Sequence, residues 1–209
     1  MVRTASSFKR SAPRFRPQAR VLVICEDTKS SKNYLQYAAV YYRSNAIIEF
    51  SHCGRTDPKG IVQNALRRQS DFEKVYCVLD RDTHIGWDDA FGLIGSNEKV
   101  RIIPSYPCFE YWVLCHFEYS RALFLPSGSK SPADSVVERV RQKEGLNNYS
   151  KGYGGNLFLD LLDRLAYARS NAIRALGDAV DTQELNPSTC LHNLLDELSR
   201  LGSPEPIQR

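Results

Sequence analysis

The sequence predicts an α/β fold: a mostly parallel sheet, read as four-stranded, flanked by helices and followed by a C-terminal helical extension. Three observations carry this. The runs over residues 21–25 and 75–79 are apolar without polar alternation, as strands buried on both faces must be. Strand and helix signals alternate from about residue 20 to residue 104. Beyond that point apolar residues recur only at helical spacing, as in Leu157, Leu161, Leu162, Leu165, Ala168, Ala172 and Leu176.

Taken in order, residues 21–25 form the first strand. Thr28, Ser30 or Ser31 can cap a helix to about residue 43, where Tyr34, Leu35, Ala38, Ala39 and Tyr42 share a stripe. Residues 46–53 read as a second strand, and a polar turn over 54–60 leads to a helix bearing Ile61, Val62, Ala65 and Leu66. The third strand, 74–79, is followed by a helix through Trp87, Ala90, Phe91 and Ile94 and by a short strand, 100–103, stopped by Pro104. Residues 109–117 read as a buried helix. Ser131-Pro132-Ala133-Asp134 has the cap and the first-turn proline of a helix start, with Gly145 as its stop. A long helix over 157–176 and a last one over 188–201 complete the chain, which is organised as an arm (1–19), an α/β core (20–120) and a helical extension (121–209).

Length and charge bound the function. A chain of 209 residues with 42% hydrophobic content can bury one substantial core. Its net charge of +4 is unevenly spread, because Arg3, Lys9, Arg10, Arg14, Arg16 and Arg20 face no acid in the arm. That segment cannot bury enough apolar surface to offset its ordering entropy and is expected to be disordered when free, either as a solubilising tail or as a nucleic-acid-contacting arm. The arm lacks the apolar stretch of a secretory signal, and no run of about 18 apolar residues suggests a membrane span, so a cytoplasmic protein is expected. The six cysteines show no CxxC pairing and read as reduced core residues.

The chemistry is expected where strands end. Val75-Tyr76-Cys77-Val78-Leu79-Asp80-Arg81-Asp82 closes on two carboxylates one residue apart, which share a face on an extended chain. Val21-Leu22-Val23-Ile24-Cys25-Glu26 closes on one, 54 positions earlier. If these strands are parallel neighbours, Glu26, Asp80 and Asp82 emerge at one crevice, where their repulsion calls for protonation or for a cation. Mg²⁺ or Mn²⁺ suits such oxygen ligands and phosphoryl chemistry, with Glu26 as ligand or general acid/base. The bland alternative is that an aspartate merely ends the strand or caps the next helix. Glu110, interrupting an apolar helix, is either a fourth metal carboxylate or a satisfied structural acid. Lys29, His84, His116 and Lys151 are candidate substrate-binding residues, and the segment around Lys151, with Tyr149, Gly152 and Tyr153, has a mix suited to stacking and phosphate contact. Their structural alternatives are a solvated lysine, a helix cap, a hydrogen-bonded core histidine and an ordinary loop. No P-loop is present, which argues against intrinsic ATPase activity.

These residues resemble the Toprim domains, in which a strand-end glutamate and a later strand-end DxD form a magnesium site. The closer resemblance is to the RloB-like (AbiL-type abortive-infection) proteins of bacterial defence loci. It is carried by Val21 to Glu26 with Asn33-Tyr34, by Val78-Leu79-Asp80-Arg81-Asp82, by Pro107-Cys108-Phe109-Glu110-Tyr111-Trp112 through His116-Phe117, and by Asn186-Pro187-Ser188-Thr189 with His192. The first loop departs from that pattern, with Asp27 and Ser31 where a small glycine and often a second acid are expected, so that Asp27 either crowds a phosphate or joins the metal site. The resemblance implies a Toprim-type, Mg²⁺-dependent nuclease with RNA, and tRNA in particular, as substrate by analogy. It also implies an ABC-like ATPase as partner and leaves homo-oligomerisation open. The competing class is a non-catalytic nucleotide sensor or an interaction subunit of such a complex.

Overall fold

Unbroken runs of β-branched and aliphatic residues place β1 (Arg20–Cys25) and β3 (Lys74–Asp80) at the centre of the sheet in a computed structural model, which describes residues 18–44, 46–81 and 85–202. With β2 (Ile47–Ser51), β4 (Val100–Tyr106) and β5 (Ser188–Thr189) they form one sheet of order β2-β1-β3-β4-β5. The first four strands are parallel, and β5 pairs antiparallel with the end of β4.

The expected four strands are therefore five. Ser188 and Thr189, read as the start of the last helix, instead form β5, because the Thr189 hydroxyl bonds that of Ser105 at 2.8 Å and the Cys190 amide donates to the Pro104 carbonyl at 2.9 Å. The last helix, α8, starts at Leu191 and runs to Arg200. Pro104 does not stop β4 either. Its carbonyl faces the β5 side, so its nitrogen lies on the side away from β3, where no ladder donor is needed.

Side chains alternate between two packed faces. Val21, Val23, Cys25, Tyr76, Val78 and Ile103 meet α1 (Ser31–Tyr41), α4 (Glu110–Cys115), α5 (Pro132–Arg141), α7 (Leu165–Thr182) and α8. Leu22, Ile24, Val75, Cys77, Leu79 and Val100 meet α2 (Pro58–Arg68) and α3 (Trp87–Ile94). The long helix expected over 157–176 is broken into α6 (Leu157–Asp160), a single 3-10 turn and α7, with the Asn156 side chain capping α6. Helix starts follow the local chemistry. Ser131 and Asp134 form a reciprocal capping box on α5, with Pro132 at its first turn. Asp57 accepts from the Gly60 amide at the head of α2. Among the described residues no helix is long and apolar enough to cross a membrane, and all six cysteines are free.

Candidate carboxylate site

The chain leaves β1 for β2 on one side and returns to β3 on the other, so the crevice beyond the C-terminal ends of β1 and β3 is the switch point of the sheet. Ligands of open α/β sheets bind at such points. Glu26 directly follows β1, and its Oε2 accepts from the Asp80 amide at 2.9 Å. The side chain of Asp80 in turn accepts, through Oδ1, from the Phe109 amide at 2.9 Å. That bond ties the end of β3 to the start of α4 and brings in Glu110, the first residue of that helix.

Glu110 is only 1% exposed. The Tyr149 hydroxyl donates to its Oε1 at 3.1 Å, whereas its buried Oε2 has no hydrogen-bond partner among the described residues. An unmet buried acceptor costs about 1–3 kcal/mol, and more when it is charged. Burial first, then the charges of Glu110 and Glu26, push the Asp80 carboxyl well above the usual carboxylate range, with Lys151 pulling the other way. At Lys151 burial disfavours the ammonium, but Glu110, Asp80 and Asp27 outweigh it and raise its pKa. The Cys108 thiol beside them is pushed far up by burial and then by Glu110 and Asp80, which makes it no nucleophile.

Glu26, Asp80, Glu110 and Lys151 are thus brought together. Asp82 and His84 lie outside the described residues. Among the described residues no group of three or more His, Cys, Asp or Glu side chains stands in coordinating geometry. The donor set still fits a hard cation, being all oxygen and holding a buried carboxylate oxygen left without a hydrogen-bond partner among the described residues.

Lys29 is an exposed loop residue whose stem lies against Gly152, next to Lys151. His116 is elsewhere, fully buried in the core, with Nδ1 on the Trp112 carbonyl at 3.0 Å and Nε2 3.4 Å from the Tyr34 hydroxyl. Burial lowers its pKa to about 4 and leaves the ring no surface for a substrate. The first-loop acid Asp27 neither joins the carboxylates as a free ligand nor waits for a phosphate. Its side chain accepts from the amides of Lys29, Ser30 and Ser31 and from the Ser31 hydroxyl, covering the donors at the head of α1.

Sequence reasoning missed the Phe109 amide and Arg81, and it singled out Tyr149 as an aromatic beside Lys151 but not as the partner of Glu110. No residue type signals a backbone donor. Arg81, however, stands between the two aspartates and could have drawn notice. Its guanidinium carbon lies 5.0 Å from the Trp87 ring centre and 4.9 Å from that of Tyr106, whose hydroxyl it also bonds, while its amide donates to the Ser105 carbonyl at 2.8 Å. These contacts lie on the sheet face opposite Asp80 and fasten the strand end from behind.

The model of the RloB-like protein family matches residues 21–198. The chain belongs to the RloB-like family. The match spans both the sheet and the helices that follow it, so the RloB-like unit includes β5 and α8. No curated protein and no solved structure matches this RloB-like chain.

Proposed function

We propose that this protein is a divalent-metal-dependent phosphodiesterase of the Toprim type, cleaving nucleic acid at the crevice of Glu26, Asp80 and Glu110. The observation that carries the reading is the unpartnered, buried Oε2 of Glu110 beside an Asp80 whose carboxyl resists ionisation. Carboxylates packed this way without a cation are a standing electrostatic cost, and removing that cost is what metal binding would do. Placement at the switch point of a parallel sheet supports the same reading.

Mg²⁺ or Mn²⁺ held there would supply charge stabilisation at the scissile phosphate and a more acidic bound water. The protein's own residues have separable tasks. Glu26 fixes the Asp80 backbone through Oε2 and, in this reading, serves as metal ligand or general acid/base. The Phe109 amide and the Tyr149 hydroxyl hold the Asp80 and Glu110 carboxylates in fixed directions. Lys151 adds the positive charge that a phosphate would meet. By family resemblance the substrate is RNA, tRNA in particular, and the setting is bacterial anti-phage defence beside an ABC-like ATPase.

The test is incubation of the purified chain with end-labelled tRNA, single-stranded DNA and duplex DNA in Mg²⁺ or Mn²⁺. EDTA and Asp80→Asn serve as controls. Cleavage abolished by both controls is the expected result. Cleavage that survives either one refutes the assignment, and no cleavage with or without the ATPase turns the reading toward the sensor class.

A further inference from the structure

Beside the carboxylates the loop after α5 and the head of α1 meet. Tyr149 is buried with its hydroxyl on Glu110, and Tyr153 stacks on it with ring centres 6.2 Å apart and planes at 22°. Between them Gly152 has φ +89, and a Cβ placed there would sit 2.9 Å from Cδ of Lys29. The glycine therefore lets the Lys29 stem cross the loop backbone one residue after Lys151, so the two loops that meet here each bring a lysine. Tyr37, on α1 and 43% exposed, borders one small recess with Lys29, Tyr149 and Tyr153. Aromatic faces next to cations bind bases and phosphates together.

We propose that Tyr37, Tyr153, Lys29 and Lys151 form a shelf for an unpaired nucleic-acid strand, which it feeds to the crevice of Glu26, Asp80 and Glu110. The inference rests on the phosphodiesterase reading for the fate of the strand, but not for its binding. An unpaired strand is specified because base faces are hidden in a duplex stack and free to meet tyrosine only when unstacked. RNA and DNA share those faces and phosphates, so the sugar is decided by the assay.

The experiment uses the full chain carrying Asp80→Asn, in EDTA, with fluorescein-labelled RNA and DNA of one unstructured sequence and their duplexes. Anisotropy should show each single strand bound at least about tenfold more tightly than its duplex. Tyr153→Ala should weaken strand binding by about 5- to 150-fold, with Tyr153→Phe retaining it. Replacing both lysines by alanine should reduce the salt slope of log Kd by about 1.4. Thermal midpoints within a few degrees of the parent would establish that the variants are folded, and Val180→Ala, at an exposed site on α7, should bind as the parent does. Equal affinity for duplex, or indifference to Tyr153→Ala in a folded variant, overturns the shelf. Tight strand binding with no cleavage by the unmutated chain, with or without the ATPase, keeps the shelf and refutes the phosphodiesterase, and cleavage with Tyr153-independent binding does the reverse.

Discussion

At the scale of single residues, the crevice is defined by charges that do not want to be together. Asp80→Asn, Asp82→Asn and Glu26→Gln should each abolish metal-dependent cleavage while leaving far-UV circular dichroism unchanged. Asp80→Asn should also stabilise the metal-free protein at neutral pH. The native pKa of Asp80 is raised above its ordinary 3.8, so stability is fully present below about pH 4 and falls as pH rises toward the native value. The variant's advantage in thermal midpoint should therefore be clear at pH 7 and vanish below about pH 4. His116 works in the opposite sense. Its pKa falls from 6.5 to about 4, so stability is lost as pH drops through that window, by about 3 kcal/mol in all, and His116→Gln should flatten the slope of chemical unfolding against pH. Glu26, Asp80 and the inert cysteines were legible from residue type and position. The core placement of His116 was one of two open readings, because a histidine in an apolar run looks the same whether it meets a carbonyl or a ligand.

At the scale of elements, loops and caps decide what the strand ends present. Asp27 closes the head of α1 through three backbone amides, and the structure thereby removes it from the pool of free acids. Asp27→Ala should lower stability by about 1–2 kcal/mol in denaturant titration, the cost of a lost cap, and exceed what Asp27→Asn costs. Arg81 fastens the end of β3 between Trp87 and Tyr106. Arg81→Met should cost about 1–2 kcal/mol on the same measure and speed hydrogen exchange at the end of β3, while Arg81→Lys should recover only part of the loss because it lacks the planar fork. Strand and helix periodicity made every major element visible in the sequence except β5. Two residues carry no period, and only the partner strand makes them a strand.

At the scale of the whole molecule, the helical extension and the sheet are one packed body. α4 is buried along its length, and α5 and α7 cover it from beyond residue 121, so residues 20–120 alone would expose Tyr111, Trp112, Val113 and Leu114. That fragment should lack the near-UV circular dichroism of a fixed core, and the intact chain should unfold with coincident near- and far-UV transitions. The family match over residues 21–198 runs across the same boundary.

The sequence by itself determined the α/β class, the order of the parallel strands' elements, the capping of α5 and the delivery of Glu26 and Asp80 to strand ends, because periodicity and helix-start chemistry are local properties. Only the tertiary structure decided that β1 and β3 are neighbours, that β5 joins the sheet, and that Glu110, Tyr149 and Lys151 close around Asp80. Those facts depend on contacts between residues tens of positions apart, and such contacts are fixed by which faces pack, not by any pattern readable along the chain.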